Sequence, residues 1–350
     1  MVGGVAFAVP GDLATPTGGY AYDRRMIGEL ERLGWTIDVI NLGDGFPQPS
    51  PEQRKAAQDQ LMAIAAGRPI VIDGLAYGVL PEMASQLCSR HPLIALVHHP
   101  LALESGLSAT QADQFRASER AALAVAKSVV ATSAATARLL AAEYGVPAHR
   151  IIVAYPGTDT APVAHGSNDG IVRLLAIGAV VRRKGFDVLI AALAMLLDLP
   201  WRLTIAGDRS RDPDAAARLD VDIARFKLGN RIAVLGTVSP ERIGELYADA
   251  DLFTLASRFE GYGMAFSEAI AHGLPVIGTT AGAIPETVAP GAGILVAPDD
   301  VAALAVALRR AIENPDERRR MAASARAAAQ ALPSWQDSAK LFAHALEAAA

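Results

Sequence analysis

Twice along this chain, short apolar runs alternate with longer helical patterns, and that rhythm constrains the fold more than any other feature. In the first half the runs are Val5–Val9, Thr36–Ile40, Ile70–Ile72, Leu93–Val97, Ser128–Ala131 and Ile151–Ala154, with helical patterns such as Tyr20–Leu33 and Gln111–Ala126 between them. Short continuous apolar runs bounded by turn residues suit strands covered on both faces, and alternation with helices makes the sheet parallel. The stretch "AYPGTDTAPVAHGSNDG", residues 154–170, then breaks the rhythm with Pro, Gly, Ser and Asp and carries no apolar period. After it the pattern restarts. Strands are expected at Val172–Ile177, Arg202–Ala206, Arg231–Leu235, Leu252–Leu255, Pro275–Gly278 and Gly293–Val296. Helices are expected at Phe186–Leu197, Ala215–Lys227, Pro240–Ala248, Tyr262–His272 and Val301–Ile312, then at Asp316–Ala331 and Trp335–Ala349, split by Pro333.

The expected fold class is therefore α/β, with two doubly wound, Rossmann-like domains in sequence. Residues 1–158 form the first domain, 159–170 the linker, 171–332 the second domain, and 333–350 a closing helix. Ligands of such sheets bind outside the carboxyl ends of the strands. The natural site for two such domains is the central cleft where those ends face each other.

Totals exclude several functions. At 350 residues, 51% hydrophobic and 20% charged, the chain has material for a large core and is not disordered. A net charge of −5 supplies no positive field for nucleic acid. The one cysteine, Cys88, permits no internal disulfide and no thiolate metal cluster, which suits the cytoplasm. "MVGGVAFAVPGDL" lacks the basic start of a secretory signal and reads as a strand. Lys127 and Arg138 interrupt the Ala-rich stretch 121–142, so it is no membrane span.

The chemistry-bearing residues cluster at strand ends. Gly18 and Gly19, in "GDLATPTGGYAYDRRM", lie between the first strand and first helix, where glycines let an anion reach helix N–H groups; an ordinary strand–helix turn reads the same way. They do not form the G-x-G-x-x-G nicotinamide fingerprint, which weighs against a dehydrogenase. Arg182, Arg183 and Lys184 gather at the carboxyl end of the strand Val172–Ile177, a solvated turn or a diphosphate site. In "RFEGYGMAFSEAIAHGLPVI", Gly261 and Gly263 free the backbone so that the amides of Gly263, Met264 and Ala265 can bind an anion. Glu260 stands before this turn and can accept from sugar hydroxyls. Glu268 lies a turn inside the helix and can hold a diol, because a carboxylate accepts hydrogen bonds and donates none. No His, Asp or Glu spacing forms a metal site.

The pair Glu260 and Glu268, spaced E-x7-E, joins "AIAHGLPVIGTTAGAIPE", "RRKGFDVLIAAL", "RLTIAGD" and the Gly18–Gly19 loop in one order. In these motifs, over nearly all of its length, the chain resembles the retaining glycosyltransferases of family 4, with the two-domain GT-B fold. The resemblance implies transfer of a sugar from a nucleotide donor, UDP- or GDP-linked, with retained anomeric configuration. It implies that Glu268 holds the donor ribose and Glu260 contacts the donor sugar. Gly263, Met264, Ala265, Gly18, Gly19 and Lys184 would bind the diphosphate. His98, at a first-domain strand end, would approach the donor sugar, with His99 as the alternative and Glu104 near the acceptor. The closing helix would pack back on the first domain, the acceptor side. Neither a cofactor nor a metal is implied.

One departure stands out. The family usually has an arginine directly after the glycine that ends the second domain's first strand, and here that position is Ala179. Arg182, Arg183, Arg209 and Arg211 are the candidates to replace it. The acceptor, whether glycan, glycolipid or small molecule, is not written in any motif. Arg24, Arg25, Arg116 and Arg120 mark either solvated helix faces, the commoner case, or a weak peripheral contact with an anionic membrane face. The alternatives are a GT-B protein that binds a nucleotide sugar with little transfer, and another GT-B enzyme such as an epimerase.

Overall fold

Among the described residues the apolar runs become twelve parallel strands in two sheets of six. The computed structural model describes residues 3–104 and 106–349. It divides the chain into two units: residues up to Gly157 together with those from Pro333 onward, and Thr158–Leu332.

In the first unit the strands are β1 (Gly4–Val9), β2 (Thr36–Asn41), β3 (Ile70–Asp73), β4 (Leu93–Val97), β5 (Ser128–Ala131) and β6 (Ile151–Val153), in the order β2-β1-β3-β4-β5-β6. Phe7 of β1 stands opposite Val39 on one side and Val71 on the other. β3, β4 and β5 are buried at every residue, whereas the edge strand β2 is mostly exposed. That is the burial that contiguous apolar runs and a mixed run such as "TIDVIN" dictate. The helices are α1 (Gly18–Arg32), α2 (Pro51–Met62), α3 (Gly74–Tyr77), α4 (Pro81–Leu87), α5 (Ala109–Ala124) and α6 (Ala134–Glu143). Short polar side chains start them. Thr17 accepts from Tyr20 N–H at α1, and Ser50 with Gln53, then Ser108 with Gln111, form capping boxes at α2 and α5.

In the second unit the strands are β7 (Val172–Ile177), β8 (Trp201–Ala206), β9 (Ile232–Val234), β10 (Leu252–Thr254), β11 (Val276–Thr279) and β12 (Gly293–Val296), in the order β12-β11-β10-β7-β8-β9. Its helices are α7 (Phe186–Ala194), α8 (Pro213–Arg225), α9 (Pro240–Asp249), α10 (Met264–Ala271), α11 (Ile284–Thr287), α12 (Val301–Glu313) and α13 (Pro315–Ala329). Trp201, Phe253 and Phe266 are among the fully buried side chains of its core. Each such side chain contributes about 1.5–3 kcal/mol by leaving water.

The strand orders locate the switch points, where the chain reverses its direction of travel across the sheet and leaves a crevice at the carboxyl ends. In the first unit this lies between β1 and β3, and in the second between β7 and β10.

Two segments are settled by long-range contacts. The Pro- and Gly-rich stretch contains no helix or strand between 154 and 170, yet it is fastened down. Ala164 N–H donates to His272 O at 2.8 Å, and Ser167 Oγ donates to Asp251 Oδ2 at 2.7 Å, both within the second unit. The helix α14 (Trp335–Ala349) belongs to the first unit and packs on α1, β4, β5 and β6. Phe342 stacks on Phe7 with ring centres 6.2 Å apart, and Trp335 meets Tyr22 at 5.8 Å. A Cβ on Gly157 would overlap Trp335, so glycine is required where the chain passes it.

Candidate functional site

At the second unit's switch point, the loops leaving β7 and β10 are tied together by one arginine. The first loop closes in a 3₁₀ turn, Arg182–Lys184, followed by Gly185 at φ 66°. A Cβ on Gly185 would overlap the Ala256 carbonyl oxygen, so backbone conformation and space both demand glycine. Arg258 N–H donates to Arg183 O at 2.7 Å and its Nη1 to Arg182 O at 2.6 Å, while its other contacts reach Asp187 and Asp299. Gly282, at φ 58°, lies against Glu260, whose carbonyl accepts from Ala283 N–H at 2.9 Å.

This frame brings Lys184 to Glu260. The ammonium donates to Glu260 Oε1 at 2.6 Å, and Ser257 Oγ donates to the same oxygen at 2.6 Å. Arg183 Nη1 donates to Phe259 O at 2.9 Å and approaches Glu260 Oε2 at 3.4 Å. Glu260 is buried, and burial alone would raise its carboxyl; the Lys184 ammonium and Arg183 guanidinium outweigh that and hold it at about 2. Burial lowers the Lys184 ammonium against the upward pull of Glu260, and Arg183 and Arg211 lower it further. With one carboxylate facing two cations, the cluster carries excess positive charge.

The α10 N-terminus continues the loop after β10. Gly263, at φ 92°, is its N-cap and offers no side-chain cap. The N–H groups of Gly263, Met264 and Ala265 meet no protein acceptor among the described residues. They and the positive end of the helix dipole are available to an anion. One turn in, Glu268 Oε2 accepts from the Tyr247 hydroxyl at 2.9 Å, and Oε1 has no protein partner among the described residues. Burial raises the Glu268 carboxyl, Tyr247 opposes the rise, and Asp159 adds to it. Burial and the neighbouring Glu268 push the Tyr247 phenol well above its ordinary value, so it stays a donor. His272 stacks on the Tyr247 ring at 4.9 Å with 14° between planes, and its Nδ1 lies 2.9 Å from Pro162 O.

The first unit gathers a different group. Gly18 and Gly19 are not ahead of α1, as the sequence suggested, but in its first turn after the Thr17 cap. Neither has positive φ. Gly18 faces open space, whereas a Cβ on Gly19 would touch His98 Cδ2 at 3.4 Å. His98 follows β4, with Nε2 3.1 Å from Asp23 Oδ1 and 3.3 Å from Asp73 Oδ2. Asp23 and Asp73 are fully buried; Asp73 Oδ1 accepts from Leu75 N–H at 2.8 Å, and Asp23 Oδ2 lacks a hydrogen bond among the described residues. Burial disfavours the His98 imidazolium, but Asp23 and Asp73 outweigh it and raise the ring to about 10. Burial raises Asp23 to about 6, with His98 pulling down and Asp73 pushing up. Asp23, Asp73 and His98 are also the one trio among the described residues whose ligand atoms lie within 4.8 Å of each other, as a metal ion would need. His99 Nε2 lies 2.6 Å from Glu104 Oε1, so that pair is engaged with itself.

Asp23, Asp73, Tyr247 and Arg258 were not singled out from sequence. Asp23 had a visible signal: it shares one helix stripe with Met26, Ile27 and Leu30, where a carboxylate is out of place unless it has a task. Of the cations proposed to compensate for Ala179, Arg209 is committed to α8, donating to Asp220 Oδ2 at 2.6 Å. Arg182 and Arg211 are exposed. Among the candidate membrane-facing arginines, Arg25 lies over the Trp335 ring at 5.1 Å, Arg24 donates to Leu13 O, and Arg116 pairs with Asp113 at 3.0 Å. Arg120 lies beside Gly145. No helix of the described residues is long and apolar enough to cross a membrane.

Known proteins match most of this chain. Residues 158–328 match the model for glycosyl transferases group 1, and residues 21–162 that for Glycosyltransferase Family 4. A D-inositol 3-phosphate glycosyltransferase of Catenulispora acidiphila is 32% identical over 57% of this chain and 52% of its own length. The chain thus spans about half of that relative. An MMP alpha-(1->4)-mannosyltransferase of Mycolicibacterium hassiacum is 26% identical over 83% of this chain and 73% of the relative. Among solved structures, the sucrose-phosphate synthase of Thermosynechococcus elongatus superposes with a TM-score of 0.82 at 24% identity, covering 97% of each chain. HepE of Anabaena, solved with UDP and glucose, gives 0.73 at 19% identity, covering 98% of this chain and 99% of its own. The fold is GT-B, and the chain belongs to glycosyltransferase family 4.

Proposed function

We propose that this family 4 member is a retaining hexosyltransferase that moves a sugar from a nucleoside-diphosphate donor to a hydroxyl acceptor. The observation that carries this is the second unit's switch point. There a cation cluster, three unused helix N–H groups and a carboxylate with one unpaired oxygen stand on the loops after β7 and β10. Lys184, Arg183 and Arg182 take the diphosphate together with the amides of Gly263, Met264 and Ala265, and Glu268 takes the ribose diol. Negative charge grows on the diphosphate as the glycosidic bond breaks, and fixed donors aimed at it lower the barrier. Glu260, kept ionised and held by Lys184 and Ser257, orients that ammonium; its contact with the donor sugar is the further role that the resemblance assigns. For His98 and for Gly18 and Gly19 in the first turn of α1, roles towards donor sugar and phosphate are what the resemblance assigns.

Retention follows from attack on the face that the diphosphate leaves. The acceptor oxygen bonds to the anomeric carbon, the bond from that carbon to the phosphate oxygen breaks, and the acceptor proton passes to the departing phosphate. Glu260 is poorly placed to be a nucleophile, because Lys184 and Ser257 both donate to its Oε1. HepE, solved with UDP-glucose, supports a nucleotide-sugar donor. We assign UDP- or GDP-sugars as the class, a glycan, glycolipid or small-molecule hydroxyl as the acceptor, and cytoplasmic action with a peripheral membrane contact where the acceptor is a lipid.

A thermal-shift panel of UDP, GDP, ADP, TDP and their sugar conjugates tests this, with Glu268→Ala alongside. At a hundred times its Kd, a cognate ligand stabilises the native state by about 2.7 kcal/mol. A selective shift, lost in the variant, is the expected result, together with turnover about 10²–10³-fold lower in Lys184→Ala. Binding without transfer would favour a nucleotide-sugar-binding protein, and no shift with any of them would overturn the donor assignment.

A further inference from the structure

We propose that Tyr247 is a positioning residue that makes the donor site selective for ribonucleoside over 2′-deoxyribonucleoside diphosphates, by fixing the Glu268 carboxylate for the ribose diol. This rests on the assignment of Glu268 to the ribose.

Glu268 has three rotatable bonds and needs a fixed direction to read a diol. Tyr247 supplies one. Its hydroxyl lies 2.9 Å from Glu268 Oε2 and 3.1 Å from Ala265 O, so one proton faces two acceptors and the phenol has little reason to turn away. The ring is fully buried and held from two sides, by His272 stacked at 4.9 Å and Phe253 at 6.1 Å. His272 is anchored in turn, with Nδ1 2.9 Å from Pro162 O. The hydroxyl therefore cannot swing, and the carboxylate it holds cannot rotate without losing its donor. A carboxylate has about four acceptor positions. One is occupied by Tyr247, and Oε1 with the remaining side of Oε2 is left to two adjacent hydroxyls.

The hydroxyl also acts on charge. Burial favours a neutral Glu268, and a neutral carboxyl would present a proton where the diol needs an acceptor. The Tyr247 O–H opposes this, as does Lys184, while Asp159 works the other way. Sites built to hydrogen-bond a substrate hydroxyl reject the analogue that lacks it, because the site's polar group is left unpaired.

The test is calorimetric titration of UDP, GDP and their 2′-deoxy counterparts into the full chain, its Tyr247→Phe variant and its Glu268→Gln variant, each checked by thermal melting. The native chain should prefer the ribonucleotide by about tenfold or more, the value of a hydrogen bond to a charged group. Tyr247→Phe keeps the ring and should lose most of that preference through weaker ribonucleotide binding, leaving the deoxynucleotide within about twofold. A chain carrying 4-aminophenylalanine at position 247, which still donates a hydrogen bond from the same place, should restore it. An unchanged ratio in Tyr247→Phe, or equal loss for both nucleotides, overturns the role of Tyr247. If Glu268→Gln also keeps the ratio, or the native chain shows none, the ribose assignment falls as well.

Discussion

Both units gather buried charge at the carboxyl ends of parallel strands, but they balance it in opposite ways. In the second unit one carboxylate, Glu260, receives Lys184 and Ser257 on one oxygen and is approached by Arg183 on the other. In the first unit two carboxylates, through Asp23 Oδ1 and Asp73 Oδ2, compete for one imidazole nitrogen, and Asp23 Oδ2 is left without a partner among the described residues. Donors exceed acceptors in the second unit, and acceptors exceed donors in the first. Burial raises both acids; around Glu260 the cations outweigh it and hold the carboxyl at about 2, whereas His98 only partly offsets it at Asp23, which is raised to about 6. Equivalent places in two similar sheets thus suit different work: excess positive charge receives an anion, whereas a cluster short of protons holds on to a cation or a proton.

The largest expected effect breaks the balanced cluster. Lys184→Met leaves Glu260 buried without its main partner and should cost about 3–5 kcal/mol in denaturant unfolding. Adding Glu260→Gln should return about 2 kcal/mol, because the two residues act as one pair. Independent effects that simply add would show that the pair is not coupled.

Acid and alkali should then separate the units. Glu260 has a folded value below the ordinary 4.5, so the stability it contributes is present above about 4.5 and lost as pH falls towards 2. His98 has a folded value above the ordinary 6.5, so its contribution is full below about 6.5 and lost as pH rises towards 10. Hydrogen exchange resolves the units individually. Protection of β7 and β10 should weaken on the acid side, and protection of β3 and β4 on the alkaline side by about 2–4 kcal/mol. His98→Gln should flatten the alkaline limb. Loss of both units at the same pH would contradict the contrast drawn here.

The smallest effect concerns Gly18. Its surroundings are open and its φ is not positive, so Gly18→Ala should be neutral or stabilise by about 0.4–1 kcal/mol. A simultaneous fall in donor affinity would mean that an anion needs the bare backbone there. Unchanged affinity would reduce Gly18 to a helix-start residue.

The sheets were legible in the sequence because a strand covered on both faces leaves a continuous apolar run, as in "LIALV" for β4. Boundaries at the thinner strands were less so: the run expected at Arg231–Leu235 shortens to Ile232–Val234 at the sheet edge. For the candidate site the sequence offered a set of residues and not their partnerships. Lys184 and Glu260 are 76 residues apart, His98 and Asp23 75, and Tyr247 and Glu268 21. Such pairs depend on which strands become neighbours, and no local periodicity records strand order. Asp187 illustrates the limit, since sequence shows only an acid early in a helix, whereas the fold makes it a clamp for Arg258.

The return of α14 to the first unit has a consequence for how the chain is made. The N-terminal sheet is complete once β6 has left the ribosome, but the helix that covers part of it starts only at Trp335. Roughly 180 residues of the other unit must be translated in between, about 10–40 s at ordinary elongation rates. During that interval the apolar surface around Phe7 and Tyr22, later covered by Phe342 and Trp335, is bare on the nascent chain. The earlier unit therefore finishes folding after the later one has emerged, and a ribosome stalled before Trp335 leaves the N-terminal half open to chaperones, proteases and aggregation.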